Sequence, residues 1–466
     1  FTMHKSESSA YRIEKDSLGE IEIERSAIYG AQTQRAVENF PISGLQMPSD
    51  FIAALITIKS IAAQTNMELS CIDDQVGSEI VSACRDLVND PNFMRHFPVD
   101  VFQTGSGTSS NMNANEVIAH LASKDSSLKV DPNDHVNFGQ SSNDVIPTAI
   151  HVSAVLTITR SFLPAFRSLI STIERKAKKL RGLCKTGRTH LMDAMPIRMD
   201  QSLQGWSDQL RQNVGLIEQN MEALKTLAIG GTAVGTGVNT HTDFAKLFAE
   251  KLSAHTSINF TAAINPFPLM SSQDSVVAMS GQLRTMAVCL MKISNDLRWM
   301  NSGPLAGIGE ITLKPLQPGS SIMPGKVNPV IPEATAMVAA QVIGNDSTIA
   351  VAGQSGNFEL NVMLPVIAQN LLSSVKLLSN SAVLLAEKAI QDFTVNEENL
   401  NKTLSFNPIL VTALNPIIGY ARAAKIAKRA YHERRPIIDV AVEDTEIDRD
   451  ELLKILDPSE LTRGGL

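Results

Sequence analysis

The stretch IPTAIHVSAVLTITRSFLPAFRSLISTIERKAKKL (residues 146–180) decides the fold class. Its apolar residues recur at steps of three and four, which is the period of an α-helix that buries one stripe of its surface. The members of this stripe are Val155, Ile158, Phe162, Ala165, Leu169, Ile173 and Ala177. Such a helix would be about 50 Å long. Pro164 lies inside it and predicts a bend, because its ring removes one N–H and clashes with the carbonyl four residues earlier.

Further runs outside this stretch follow the same helical period: 203–227, 272–300, 332–344 and 359–393. The first of them stops at the glycine pair 230–231, and Pro365 lies inside the last. Five long helices predict a mainly α protein with a central bundle of near-parallel helices. Helices of this length carry more apolar surface than one bundle buries, so we expect an oligomer. Strand-like alternation is confined to short pieces such as 19–24 and 310–313, so any sheet is minor.

The composition narrows the possible functions. The chain has 466 residues, of which 43% are hydrophobic, and this is ample material for a packed core. Its formal net charge of -7 provides no basic field for nucleic acid. The four cysteines lack CxxC spacing and are predicted to be reduced thiols. No run of 18 apolar residues and no signal-peptide pattern occurs. We therefore expect no membrane partner and a cytoplasmic protein, or a mitochondrial matrix protein if the source is eukaryotic.

Shifts of composition along the chain predict three domains. Residues 1–140 are mixed and rich in loops, residues 141–395 hold the long periodic runs, and residues 396–466 combine shorter helices with a charged tail. We therefore expect a mixed N-terminal domain, a central helical bundle and a small C-terminal helical domain.

Four segments beside the long runs are rich in Gly, Ser, Thr, Asn and Pro: 103–115 (QTGSGTSSNMNAN), 137–144 (NFGQSSND), 187–193 (GRTHLMD) and 318–333 (PGSSIMPGKVNPVIPE). Any one of them alone is typical of an ordinary surface loop, and helix capping explains some of the asparagines. Together they supply many neutral donors along with Arg188, His190 and Lys326. Such groups at helix N-termini suit a small polyanion that carries carboxylates.

The spacing of these segments argues against several common site types. Five residues separate Gly319 from Gly325, and Val327 follows the lysine, whereas a phosphate-binding P-loop needs four residues and a Ser or Thr. The GSG at 105–107 does not follow a convincing strand, so a dinucleotide-binding fold is not supported. No HExxH or similar spacing suggests zinc, and we expect no metal.

Residues 319–329 read GSSIMPGKVNP and resemble the signature GSSxMPxKxNP of the fumarase/aspartase superfamily. Other segments resemble class II fumarases in the same order: QTGSGT with NMNANE, PNDHVN with QSSND, GRTH, GGTAVGTG at 230–237 and TALNPIIGY at 412–420. The resemblance covers nearly the whole chain. It implies a mainly α, three-domain subunit with a central bundle of five long helices. It also implies a homotetramer with a twenty-helix core, active sites shared by three subunits, and no metal or organic cofactor.

The resemblance also assigns roles to individual residues. It implies that Ser320 is the base that removes the C3 proton of malate, and that His190, paired with Glu333, handles the hydroxyl or water. Lys326 is the fourth implied catalytic residue. The implied substrate-binding residues are Ser106, Gly107, Thr108, Ser141, Ser142, Asn143, Thr189, Ser321, Lys326 and Asn328. Many relatives begin this segment with His and form a second anion site there. This chain has Asp131 instead, which argues against dicarboxylate binding at a second site formed by Asp131, Pro132, Asn133 and Asp134.

The implied reaction is the reversible hydration of fumarate to (S)-malate by general acid–base catalysis, through a carbanion stabilised as an aci-carboxylate. Removing a weakly acidic proton from carbon leaves charge on a carboxylate oxygen, which Lys326, Asn328 and backbone N–H groups can stabilise. A serine hydroxyl is a weak base, so Ser320 needs the same electropositive loop. Two alternatives stay open: an aspartate ammonia-lyase, which shares the carbanion step, and a structural or binding protein that retains the fold without activity.

Overall fold

A computed structural model describes residues 10–124 and 128–465 of the chain, and most of these residues lie in helices. The α-helices are α1 Ala31–Asn39, α2 Ser49–Glu68, α3 Asp74–Asn89, α4 Thr108–Ala122, α5 Ser142–Thr157, α6 Leu163–Lys179, α7 Met199–Leu224, α8 Phe244–Thr256, α9 Phe267–Ser271, α10 Asp274–Met300, α11 Val330–Gly353, α12 Leu364–Leu385, α13 Glu397–Ser405, α14 Asn415–Ile418, α15 Tyr420–Glu433, α16 Ile437–Asp444, α17 Arg449–Ile455 and α18 Pro458–Leu461. Short 3₁₀ and π turns lie between some of them, at Phe93–His96, Pro132–Val136, Ile158–Phe162, Ala386–Ile390 and Pro408–Leu414. The predicted mainly α class is confirmed.

The five predicted long helices are present. The stretch that decides the fold forms α5 and α6, which are joined by the π turn Ile158–Phe162. This turn ends just before Pro164, so the irregularity expected from the proline is a local widening of the helix. Every residue of the predicted apolar stripe is buried, from Val155 to Ala177. The period of the sequence therefore identified the buried face correctly.

Two predicted helix boundaries are wrong. The helix expected at 332–344 continues to Gly353, and Gly344 lies in its interior. A glycine ends a helix when it adopts a left-handed conformation there, and Gly344 does not do so. The helix expected from residue 359 begins only at Leu364, because residues 356–361 form a short hairpin. Pro365 consequently occupies the first turn, where a missing N–H is tolerated.

The strands pair only in twos within the described residues. They are β1 Tyr11–Asp16, β2 Gly19–Glu24, β3 Cys184–Thr189, β4 Met192–Arg198, β5 Thr226–Leu227, β6 Thr261–Ala262, β7 Ile311–Thr312, β8 Gly356–Asn357, β9 Leu360–Asn361 and β10 Thr394–Val395. The pairs β1–β2, β3–β4, β7–β10 and β8–β9 are antiparallel, and β5–β6 is parallel. The alternation at 19–24 predicted β2 correctly, and sheet is minor as expected.

The chain divides into two compact units. Unit 1 comprises residues 1–163, 215–285 and 340–378, and unit 2 comprises residues 164–214, 286–339 and 379–466. In unit 1, α2 packs against α3, α5 and α8 and buries an almost continuous apolar surface. In unit 2, the helices after residue 408 enclose their own apolar cluster, which includes Leu414, Ile426 and Val440. The division into two units does not test the three predicted domains, which stay a prediction.

Two helical stretches of the described chain, 142–179 and 274–300, are long and apolar enough to cross a membrane by length and composition alone. In the structure, 67% of an apolar 18-residue segment of the first stretch is buried, and 50% of such a segment of the second. This burial is typical of core helices in a helical protein. The second stretch still exposes Val288 and Trp299.

Candidate active site

The residues singled out from the sequence lie in both units. Segments 103–115 and 137–144 belong to unit 1, whereas segments 187–193 and 318–333 belong to unit 2.

In unit 1, the N-terminal ends of α4 and α5 lie close together. Gly107 caps α4 with a left-handed backbone (φ 73°), and a Cβ placed on it would come within 2.9 Å of the Ile146 side chain on α5. A side chain at position 107 would therefore separate the two helix ends. Ser106 Oγ and Thr108 Oγ1 are hydrogen-bonded at 2.7 Å beside this cap. Two helix N-termini with small hydroxyl groups form a favourable site for an anion.

The N-terminus of α5 is held by a buried carboxylate. Asp144 accepts hydrogen bonds from the N–H groups of Ser141, Gly230 and Thr232, each at 2.9 Å. Burial raises the pKa of Asp144 to about 6, while these N–H groups lower it. Ser141 caps the helix by accepting the N–H of Asn143 at 3.2 Å. The candidate segment 137–144 is thereby fixed to the glycine-rich segment that begins at Gly230.

Asn143 and Ser142 are partly engaged within the protein. Asn143 Nδ2 donates to the Ala233 carbonyl at 2.8 Å, which leaves its Oδ1 as the unassigned end of the amide. Ser142 Oγ accepts from Asn111 Nδ2 at 3.2 Å, so its hydroxyl proton can be donated elsewhere. Both side chains thus keep hydrogen-bonding capacity for a ligand.

The loop before α4 is attached to the N-terminus of α12 within unit 1. The Gly105 carbonyl accepts the Leu364 N–H at 3.0 Å, and a Cβ on Gly105 would lie only 1.8 Å from the Val362 carbonyl oxygen. We expect Gly105→Ala to push these segments apart and to lower the free energy of unfolding by about 2 kcal/mol. Urea unfolding followed by circular dichroism would measure this loss. Gly215→Ala is the control, because nothing lies within 4 Å of its added Cβ, and equal stability of the two variants would contradict the expectation.

Residues 131–135, which include the four residues considered for a second anion site, hydrogen-bond to one another. Asp131 Oδ1 accepts the N–H groups of Asn133 at 2.8 Å and Asp134 at 2.9 Å. The Asp131 N–H in turn donates to His135 Nδ1 at 2.8 Å. An incoming anion would compete with the Asp131 carboxylate for the same N–H groups and would be repelled by its charge.

In unit 2, the loop 318–329 folds back on itself around Ser320. Its ends are joined by hydrogen bonds from Gly319 N to the Lys326 carbonyl at 2.9 Å and from Asn328 Nδ2 to the Gly319 carbonyl at 2.6 Å. Ser320 Oγ accepts the N–H groups of Ile322 at 3.2 Å and Met323 at 2.9 Å. Hydrogen bonds to the charged form of a group favour that form, so this geometry stabilises a serine alkoxide.

A cavity of about 850 Å³ lies beside this loop within unit 2. Lys326, Asn328 and Glu333 line it, together with Arg298 and Trp299. Lys326 Nζ donates to Asn328 Oδ1 at 3.0 Å, so the cation and the amide lie side by side. Glu333 stands in the first turn of α11. Ser321 is exposed on the loop and Ser320 is half-buried.

The second candidate segment of unit 2 forms the β3–β4 hairpin. Thr189 is the last residue of β3, and His190 and Leu191 form the two-residue turn, with φ of 56° and 60°. His190 lines a separate cavity of about 790 Å³ that also contacts Arg188 and Lys292. The hairpin therefore presents the histidine at its tip.

A buried charge cluster holds this hairpin, and sequence reasoning missed its centre. Glu310 accepts from Lys185 Nζ and from Arg188 Nη1, each at 2.6 Å, and its side chain is only 3% exposed. Arg188, which the sequence offered as an anion donor, is thus engaged with Glu310. The weak signal for this cluster was a glutamate at the start of an apolar strand-like piece, 310–313.

The structure brings some predicted residues together and separates others. Ser320, Lys326 and Asn328 share one loop, and Ser106, Gly107 and Thr108 lie beside the helix that Ser141 caps. His190 and Glu333 line different cavities of unit 2, and no hydrogen bond joins them among residues 10–124 and 128–465. The predicted His190–Glu333 pair is therefore not formed within one chain.

Comparisons with known proteins give one consistent result. A lyase family profile matches residues 19–344, and a profile of the fumarase C C-terminus matches residues 410–463. Fumarate hydratase class II 2 of Pseudomonas aeruginosa is 62% identical over 455 residues, which cover 98% of this chain and 99% of that relative. Fumarate hydratase class II of Xylella fastidiosa is 54% identical over 464 residues, covering 100% and 98%. The crystal structure of class II fumarase from Schistosoma mansoni matches with a TM-score of 0.93 at 37% identity, covering 97% of this chain and 99% of that one.

Proposed function

This chain belongs to the class II fumarate hydratase family of lyases, and we propose that it carries out the reversible hydration of fumarate to (S)-malate. The names of relatives that are 54–62% identical over nearly the whole chain support this activity over aspartate ammonia-lyase. The observation that carries the mechanism is the pair of backbone N–H groups donated to Ser320 Oγ.

Ser320 acts as the base of the reaction. The N–H groups of Ile322 and Met323 stabilise its alkoxide, which takes the C3 proton of malate. The electron pair left on carbon moves into the adjacent carboxylate and gives the aci-carboxylate. Lys326 and Asn328, which lie side by side on the same loop, stabilise the added charge. One short loop therefore serves both the base and the intermediate.

The opposite carboxylate of the substrate is held by unit 1 residues. The adjacent N-termini of α4 and α5 favour an anion, and Ser106, Thr108, Ser141 and Ser142 supply hydroxyl groups near them. Asn143 adds its amide, and Gly107 keeps the two helix ends close. Thr189 and Ser321 complete the set of binding residues. This carboxylate keeps the same charge throughout the reaction.

His190 and Glu333 act on the hydroxyl group that malate loses, or on the water that adds to fumarate in the reverse direction. A histidine can exchange a proton near neutral pH, and a carboxylate beside it holds the imidazolium. Because the two side chains line different cavities of one chain, their pairing requires residues from different subunits. The proposed reaction consists of proton transfer and charge stabilisation, and it needs neither a metal nor an organic cofactor.

The assembly in this proposal is a homotetramer with active sites shared between subunits. The long helices expose apolar side chains that a further protein surface would cover, such as Trp299, Met337 and Val351. The loops that carry candidate residues do the same, with Leu191, Met192 and Ile322 exposed. The family is consistent with a cytoplasmic enzyme, or one of the mitochondrial matrix if the source is eukaryotic.

The activity is tested by following the absorbance of fumarate with the purified chain. We expect malate alone to produce fumarate, and fumarate to be consumed without added ammonium. Consumption only with ammonium, or production from aspartate, would identify an ammonia-lyase instead. No turnover of either substrate would favour a binding protein that retains the fold. Sedimentation equilibrium of the same sample should give the mass of four chains, and a monomer with full activity would contradict the shared sites.

A further inference from the structure

One buried cation of unit 1 lies outside the machinery described above. Lys59 on α2 is fully buried, and its Nζ donates to Asn137 Oδ1 and to Gln140 Oε1, each at 2.9 Å. Both acceptors belong to the turn 137–140, which leads directly into Ser141. No carboxylate in the described part of the chain forms a direct ion pair with this ammonium, although the charge of Asp144 acts on it.

Asn137 connects the ammonium to both helix ends of the anion site. Its Oδ1 also accepts from Asn111 Nδ2 at 3.1 Å and from Asn115 Nδ2 at 3.2 Å, both on α4. Asn111 Nδ2 is in addition 3.2 Å from Ser142 Oγ on α5. The ammonium is therefore linked to α4 through the amide of Asn137, and to Ser142 on α5 through the amides of Asn137 and Asn111.

Packing alone does not account for a charge at this position. Burial of an ammonium is costly, and here burial lowers the pKa of Lys59 to about 7. Asn111 Oδ1 and Asn115 Oδ1 have no hydrogen-bond partner among the described residues, so the network is not arranged to satisfy its own polar groups. A cation that is hydrogen-bonded to the network between two helix N-termini, despite the cost of its burial, adds to their positive potential.

We propose that Lys59 is a positioning residue of the dicarboxylate site: its ammonium fixes the turn 137–140, so that Ser141, Ser142 and Asn143 meet the unreacting carboxylate, and its charge attracts that carboxylate. This inference rests on the proposed function and extends it. The unreacting carboxylate has the same charge in the ground state and the transition state, so Lys59 contributes to uniform binding. Its loss should raise KM and leave kcat nearly unchanged.

Two variants test the proposal. Lys59→Met removes the charge and both hydrogen bonds. Asn137→Asp keeps the acceptor oxygen and neutralises the ammonium with a carboxylate, and it also removes the bond from Asn137 Nδ2 to the Gln140 carbonyl. We expect each to raise KM for fumarate about tenfold with kcat within about twofold of wild type. Lys246→Met is the matched control, because it removes an exposed lysine of unit 1 and should leave both constants unchanged.

The outcomes separate positioning from a purely structural role. A lower unfolding midpoint and a lower kcat at unchanged KM would overturn the proposal, since they indicate only a loss of folded enzyme. An effect on KM in Lys59→Met alone would overturn the contribution of the charge. If Lys59→Met does not fold, Asn137→Asp carries the test, because its ammonium keeps a partner.

Binding of succinate, an unreactive dicarboxylate, distinguishes this proposal from the proposed function. Titration calorimetry should give a dissociation constant about tenfold weaker in both variants than in wild type. If wild type does not hydrate fumarate but the variants still bind succinate more weakly, the activity is wrong and the positioning role stands. If wild type is active and all proteins bind succinate equally, the positioning role is wrong.

Discussion

Replacing Ser320 with alanine is expected to lower kcat for malate dehydration by about a thousandfold, with KM changed little. The hydroxyl is the proposed base, and its oxygen accepts the N–H groups of Ile322 and Met323 that stabilise the alkoxide. The loop itself should survive the change. Its ends are joined by bonds that do not involve the Ser320 side chain, from Gly319 N to the Lys326 carbonyl and from Asn328 Nδ2 to the Gly319 carbonyl.

Two measurements make this expectation specific. Steady-state kinetics of Ser320→Ala give the loss of rate, and circular dichroism with sedimentation shows that fold and assembly are retained. Ser405→Ala is the control, since this serine of α13 is exposed and its hydroxyl donates to the Lys402 carbonyl of its own helix. Turnover of Ser320→Ala within tenfold of wild type would assign the base to another residue.

The site could be predicted from sequence where several functional side chains lie close together in one short segment. The loop 318–329 carries a serine, a lysine and an asparagine within ten residues, and together with the three other polar segments it indicated a site for a small anion. The direction of its N–H groups could not be predicted, because that depends on how Gly319 meets the Lys326 carbonyl. The pairing of His190 with Glu333 was implied by the family resemblance and stays a prediction, since within one chain the two side chains line different cavities.

Buried charges were the features that sequence reasoning missed. Lys59 lies in an otherwise apolar run of α2, and Glu310 directly precedes the short strand β7, so neither position suggests a partner from its neighbours in sequence. Their partners are distant in the chain: Asn137 for the lysine, and Lys185 and Arg188 for the glutamate. Only tertiary structure brings such groups together.

The fold was predictable where apolar periodicity was long and uninterrupted. The stripe from Val155 to Ala177 identified α5 and α6 and their buried face. Errors arose at glycine and proline residues whose effect depends on context: Gly344 lies inside α11, and Pro365 lies in the first turn of α12. Helix α2 was missed because it is apolar on most of its surface and shows little periodicity.

Replacing Glu310 with alanine is expected to lower the free energy of unfolding by about 4 kcal/mol, because it leaves two cations without their buried partner. Lys185 and Arg188 both donate to this carboxylate, and the Lys185 side chain is only 7% exposed. Urea unfolding followed by circular dichroism measures the change. Activity should fall as well, since β3 carries Thr189 and leads into His190. Asp392→Ala is the control, because it breaks an exposed ion pair with Lys314 and should change stability by less than about 0.5 kcal/mol.

The stability deficit of Glu310→Ala should also depend on pH with a definite sign. Burial lowers the pKa of Lys185 below its ordinary value, and the charge of Glu310 opposes this shift. Without Glu310 the pKa of Lys185 in the folded chain is lower still, so between that pKa and the ordinary lysine pKa the folded chain binds fewer protons than the unfolded chain. Stability of the variant then rises with pH across that interval, and its deficit relative to wild type shrinks as the pH approaches the ordinary lysine pKa. A deficit that stays constant or grows over this range would show that the loss comes from packing and not from an unpaired lysine.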